Sequence, residues 1–267
     1  RAPLAVVQDV ARPHAVRVGL WDDEGGRLVA RGDVAVDLFE ERTVVDAPVL
    51  PDTPLVVANV DDRSYAKVQL DDRSLAAVEE GLSTMPDAVA RGVVWAALWN
   101  AVRDGELAAS VYLAIAARHA PQEPHPALLA DVLAHAAFAV RHYVPDAARA
   151  AAADAWLDTV AAAMNAAAPG SDAQLIWARA VGVAAELSDG RAELMTAILD
   201  GRAPAPGGLA LDPDLRWGWV FGLAASGRAD AARIEEEAAR DATSSGRTAR
   251  LAALAARPEA SVRADAW

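Results

Sequence analysis

Metal-assisted hydrolysis needs about three ligands converging on one ion, most compactly written as two histidines one helical turn apart with an acid nearby. The chain has five histidines, His14, His119, His125, His135 and His142, and none stands four residues from another. His135 and His142 are seven apart and can share a helix face, but no carboxylate between them completes a ligand set. No His-Glu-x-x-His occurs. The expectation is therefore surface or partly packed histidines, with no metal ligand and no cofactor held by this chain. Cysteine is absent, which excludes disulfides, thiolate ligands and cysteine nucleophiles. No Gly-x-Ser-x-Gly, P-loop or Gly-x-Gly-x-x-Gly is present.

The carboxylates offer no better site. Asp22-Asp23, Asp61-Asp62 and Asp71-Asp72 fall at turns and helix starts, where acids satisfy free N–H groups and the helix dipole. The triplet Glu235-Glu236-Glu237 reads as a solvated helix face. Trp95 and Trp99 stand at i, i+4 on one helix face and read as core. Trp219, two residues beyond Trp217, points elsewhere on its helix. Arg216 and Trp219 are thus the candidates for an inter-domain or peptide-facing surface. No residue is predicted to be catalytic.

The elements that would position these residues change character near residue 70. Up to Ala58 the chain alternates in short valine-rich runs: 4–10, 15–21, 27–30, 34–39, 44–45 and 55–58. Gly25-Gly26 supplies the positive φ of a hairpin turn, and Pro48, Pro51 and Pro54 separate the last runs. That pattern predicts a small antiparallel β-sandwich over residues 1–70. The last strand is expected to run through the stretch 59–71 into the first helix.

From Ser74 onward the period is helical and alanine-rich, which favours close helix–helix approach. About ten helices of mostly 10–20 residues are expected over 71–267, with short links. Pro86 is placed near the start of the second, Ser171 or Asp172 caps one, and Asp212 caps another with Pro213 at its first position. No repeat of fixed length stands out. Successive antiparallel pairs predict an α-solenoid-like (HEAT/ARM-like) array. The fold class is mainly α with an N-terminal all-β module.

The 267 residues suffice for two modest domains, and 54% are hydrophobic with only 5% aromatic. A formal net charge of −13 argues against nucleic acid and against an anionic membrane surface. Lys67 is the only lysine. The most apolar run, 89–102, is interrupted by Arg91 and Asn100 and is too short to span a bilayer. No secretory signal is visible, so a soluble cytoplasmic protein is expected. A start at Arg1 and a stop at Trp267 inside an amphipathic run favour a piece of a longer chain.

The stretch 59–71 carries a resemblance. Asn59, Tyr65, Lys67-Val68 and Leu70-Asp71 resemble the Asn-x-x-x-x-Gly-Tyr-Tyr-Arg-Val-x-Tyr-Asp segment of M1-family zinc aminopeptidases. Ser64, Ala66, Lys67 and Leu70 depart from it. Asp61 to Asp71 is similar to the actinobacterial branch of that family. So are Pro169-Gly170-Ser171-Asp172-Ala173-Gln174-Leu175, Asp214-Leu215-Arg216-Trp217, Ala239-Arg240-Asp241-Ala242-Thr243, Ala256-Arg257-Pro258 and Ala266-Trp267. The resemblance runs from about Leu4 to Trp267.

It implies the β-sandwich and part of the helical C-terminal domain of an enzyme that removes N-terminal residues from peptides. The zinc and its ligands would lie in the catalytic domain upstream, in the same polypeptide. The helical array would cap the active site and gate peptide access, making that catalytic domain and the peptide substrate the partners. Asn59, Tyr65, Lys67 and Asp71 are then structural residues of the junction between sandwich and helices. The alternative is a free-standing α-solenoid scaffold that binds a protein or peptide.

Overall fold

The computed structural model describes residues 4–45 and 53–266. The separators Pro48 and Pro51 and the terminal Trp267 lie outside the described residues. The chain forms two compact units, residues 1–128 and 129–267.

Among the described residues the first unit begins with five strands: β1 (Ala5–Val7), β2 (His14–Asp23), β3 (Leu28–Leu38), β4 (Arg42–Val44) and β5 (Leu55–Val57). They form a two-stranded ribbon, β1-β4, and a three-stranded antiparallel sheet ordered β3-β2-β5. Alternation decides the faces. Val16, Val18 and Leu20 of β2 point inward with Val36 and Leu38 of β3, while Arg17 points out. Leu4, Val6 and Val45 from the ribbon side close over them, giving the expected small sandwich.

Between β2 and β3 the chain reverses through Gly25 (φ 68°) and Gly26 (φ 86°), where Glu24 N–H donates to the Arg27 carbonyl over 2.9 Å. Two successive positive φ values match the twist of the flanking strands.

β5 turns Val56 toward the sandwich core and Leu55 and Val57, both 0% exposed, to its other face. That face meets the helix α1 (Asp72–Gly81). A 3-10 turn (Leu82–Thr84), α2 (Ala88–Asp104), α3 (Ala109–His119), a second 3-10 turn (Ala120–Gln122) and the start of α4 (Pro126–His142) complete the unit. Asp87 caps α2 by accepting from Val89 and Ala90 N–H, so Pro86 precedes the cap rather than opening the helix.

The second unit holds the body of α4, then α5 (Asp146–Ala166), α6 (Asp172–Ala184), α7 (Ala192–Leu199), α8 (Pro213–Ala225), α9 (Ala231–Arg240), α10 (Ser244–Ala256) and α11 (Ala260–Ala266). The fold class is the one expected: a β module followed by a helical array. The starts of α6, α8, α9 and α10 are set by side-chain caps. Ser171, Asp212, Asp230 and Thr243 accept from Gln174, Leu215, Arg233 and Gly246 N–H. α6 and α8 approach until backbones touch, because a Cβ at Gly222 would sit 2.2 Å from the Gly182 carbonyl oxygen. Among the described residues no helix is long and apolar enough to cross a membrane.

Candidate functional site

The stretch 59–71 is the place to build a site, since it leads from β5 to α1. It does not continue the strand, as the sequence suggested. Asn59 and Asp62 both adopt φ 53°, and two left-handed residues so close together turn the chain out of the sheet. Asn tolerates that region because its short amide can hydrogen-bond locally. Here the Asn59 Nδ2 donates to the Ser64 carbonyl (2.7 Å) and its Oδ1 accepts from Ser64 N–H (3.0 Å). Asn59 is 1% exposed, so both ends of the amide need those partners. The Ser64 hydroxyl then donates to the Ala15 carbonyl over 2.7 Å, and Val60 N–H donates to the Arg17 carbonyl over 3.0 Å, tying the turn to β2.

Beyond the turn the chain runs to Leu70 outside any strand or helix. The Tyr65 side chain stands fully in solvent. The Lys67 ammonium pairs with Asp104 at 2.6 Å, and Gln69 Nε2 donates to Glu106, so both side chains reach the link between α2 and α3. Asp71 caps α1, its Oδ1 accepting from Ser74 N–H at 2.7 Å. The Ser74 hydroxyl in turn exchanges hydrogen bonds with the N–H and carbonyl of Val56 (3.1 and 3.3 Å), docking the helix start on β5. Asn59, Lys67 and Asp71 therefore make three separate ties within the first unit, to Ser64, Asp104 and Ser74, while Tyr65 stands in solvent.

Arg216 and Trp219 serve the interior of the second unit, which corrects the expectation that they face a peptide or another domain. The Trp219 indole is 1% exposed and donates to the Ala178 carbonyl at 2.8 Å. The Arg216 guanidinium makes two 2.6 Å bonds to the carboxylate of Glu237 and one of 3.0 Å to the Leu199 carbonyl. The hydrogen bond that Arg216 donates to Glu237 raises its already high pKa, outweighing the burial that opposes the charge. Glu237 is itself 1% exposed, so the acidic triplet is not uniformly solvated; only Glu235 and Glu236 face water.

A second buried pair was likewise missed. Arg91 on α2 forks onto Glu123 at 2.9 and 2.8 Å and donates to the Met85 carbonyl at 2.7 Å. The one signal available was a charge inside an apolar helix, which demands a partner.

His119 also departs from the surface or partly packed expectation, being 3% exposed. Its Nδ1 lies 3.0 Å from the Ser83 hydroxyl, the spacing of a nucleophile and its base. The same nitrogen also accepts from Ser83 N–H at 3.2 Å, and Nε2 meets the Glu79 carbonyl rather than an orienting carboxylate. Those contacts tie two helix ends together. Burial is the main reason the His119 pKa falls below the ordinary imidazole value.

The other histidines are dispersed over β2, α4 and the link before α4. Among the described residues no group of three or more His, Cys, Asp or Glu converges to hold a metal ion. A zinc ion does not fit the donors present here.

A model of the ERAP1-like C-terminal domain family matches residues 55–267, from β5 through the helical array. Over 258 residues the chain is 38% identical to Aminopeptidase N of Streptomyces lividans, an alignment that takes in 96% of this chain and 30% of that protein. The chain thus spans about 30% of the length of that curated relative. Both matches agree with the resemblance read from the stretch 59–71 and the motifs that follow it. The chain belongs to the ERAP1-like C-terminal domain family.

Proposed function

We propose that the chain is a non-catalytic, C-terminal portion of a cytoplasmic zinc aminopeptidase of the M1 family, and that it caps the active site and gates peptide entry. The observation that carries this is an alignment at 38% identity over nearly the whole chain, to under a third of an aminopeptidase. The rest of such a polypeptide would supply the zinc, the activated water and the groups that recognise the substrate's N-terminus.

In family terms residues 1–70 are the β-sandwich domain and 71–267 the helical domain. Asn59, Lys67 and Asp71 fix the path between them. Tyr65 presents an aromatic surface to the catalytic part of the same polypeptide. Capping by this region would admit peptides according to their length, as closing elements do elsewhere.

The direct test is activity. Purified chain with added zinc is expected to leave an aminoacyl-p-nitroanilide intact, and zinc-dependent turnover that co-purifies with it and disappears with a chelator would overturn the reading. For gating, the longer polypeptide is compared with and without residues 129–267, the second compact unit. Loss of that unit is expected to raise turnover of long peptides relative to short ones, and an unchanged ratio would refute the cap.

A further inference from the structure

His119 is the one histidine that the fold buries among the described residues, and its surroundings fix its proton. Nε2 lies 3.0 Å from the Glu79 carbonyl, which only accepts, so Nε2 carries the hydrogen. Nδ1 lies 3.2 Å from the Ser83 backbone nitrogen, which only donates, so Nδ1 keeps its lone pair. The Ser83 hydroxyl, 3.0 Å away, can add a second donor to that lone pair.

A second proton would sit on Nδ1 and point at a backbone N–H that lies within the turn. The hydroxyl can rotate away and donate to Gln122 Oε1, 3.3 Å distant, but the amide cannot follow. We propose that His119 is a proton-operated latch on the Leu82–Thr84 turn: neutral it holds the turn to the end of α3, and protonated it lets the turn go.

What the turn holds at its other side makes this consequential. Thr84 Oγ accepts from Leu28 N–H at 2.8 Å and donates to the Gly81 carbonyl at 2.6 Å. Gly81 is packed so tightly on the β hairpin that an added Cβ would lie 2.8 Å from Leu28 Cγ. The turn is thus gripped by the β2–β3 hairpin on one side and by His119 on the other, and releasing His119 loosens the seat of the hairpin on the helices.

The charged groups around the ring largely offset each other. From α1 it is faced by the Glu79 carbonyl and the Glu80 carboxylate, and from α3 by the Arg118 guanidinium. Glu80 and Arg118 pair with each other at 2.6 Å. The two 3-10 turns bring only Ser83 and Gln122, neither charged. Burial is left as the dominant influence, and it lowers the folded-state pKa.

Below the ordinary imidazole value of about 6.5 the unfolded chain takes up a proton that the folded chain resists. Stability contributed by His119 is complete above that value and is lost as pH falls toward the folded-state midpoint. This latch does not depend on the aminopeptidase reading.

The test is a histidine-selective proton–nitrogen NMR titration of the chain, read together with backbone amides. Near neutral pH His119 should show the Nε2–H tautomer and titrate below the ordinary imidazole value of about 6.5. Ser83, Thr84 and Leu28 amides should move with the His119 midpoint. Their hydrogen exchange, corrected for the intrinsic effect of pH, should rise as His119 takes up its second proton.

Ser83→Ala removes one donor to Nδ1 and should raise the His119 midpoint. His119→Gln should make exchange in the turn independent of pH. Should that variant fail to fold, the native titration and Ser83→Ala decide the matter. A His119 midpoint at or above the ordinary value, or protonation that leaves the turn amides unmoved, overturns the latch.

Discussion

Each unit buries an arginine–glutamate pair, and the two pairs are built alike. Arg91 forks onto Glu123 and spends a further N–H on the Met85 carbonyl; Arg216 forks onto Glu237 and spends one on the Leu199 carbonyl. In both, a planar guanidinium satisfies a carboxylate and a carbonyl left over at a break between elements, which suits its fixed fork of donors. They differ in company. The Arg91 and Glu123 side chains are 4% and 3% exposed, and no second charge is paired with either among the described residues. Glu237 has Arg233 at 3.7 Å, Arg233 also reaches Asp200 at 3.2 Å and Glu236 at 3.4 Å, and Asp200 pairs with Arg202 at 2.8 Å, so the second pair belongs to a network of three cations and three anions. An isolated buried pair is lost completely when one partner goes, whereas a network can redistribute its charge.

That contrast can be broken by substitution. Arg91→Leu leaves Glu123 buried without its partner, and we expect it to lower unfolding stability by about 3–5 kcal/mol in urea melts. Arg216→Leu should cost less, about 2–3 kcal/mol, because Arg233 remains to face Glu237. If the two losses are equal, the network confers no redundancy. The double replacement Arg91→Met with Glu123→Leu removes both charges together and should lie within about 1 kcal/mol of the native chain, since buried pairs are often exchangeable for apolar ones. A double variant as unstable as the single one would mean that the Met85 carbonyl, and not the ion pair, decides the cost. The smallest effect belongs to Lys67→Ala. Its pair with Asp104 has side chains 56% and 35% exposed. The change should cost under about 0.5 kcal/mol, and less still in high salt, where exposed charges are screened.

Much of the fold was legible because its signals are local. Strand alternation placed Val16, Val18 and Leu20, paired glycines placed the hairpin, and Asp212-Pro213 placed the start of α8. Inward-facing polar residues were harder, since one acid in a row of three looks like its neighbours. Glu237 nonetheless lies three residues from Ile234, which is 0% exposed, so the two share an inward face. His119 similarly follows Ile115 and Ala116, both buried, by four and three residues. Helical spacing could have flagged both positions. Trp219 shares its face with Leu215, Gly222 and Leu223, all buried, and that stripe was overlooked in favour of its offset from Trp217. What no spacing could supply was the partner: Glu123 comes 32 residues after Arg91, in a link between a 3-10 turn and α4. The turn at Asn59 was hidden for another reason. Asn-Val-Asp-Asp continues the valine-rich pattern of a strand, and only the backbone angles show that it leaves the sheet.

The three residues of β5 carry a consequence for how this protein can be taken apart. Val56 completes one apolar core while Leu55 and Val57 complete another on the opposite face of the same strand. Such a strand has no side to give up to water. A polypeptide ended at residue 70 would retain all five strands and yet uncover Leu55 and Val57, leaving a sticky edge that recruits other chains. Evolutionary or laboratory exchange of the sheet between relatives should therefore succeed only when α1 and α2 travel with it. The smallest transferable piece is set by shared burial rather than by the point where strands give way to helices.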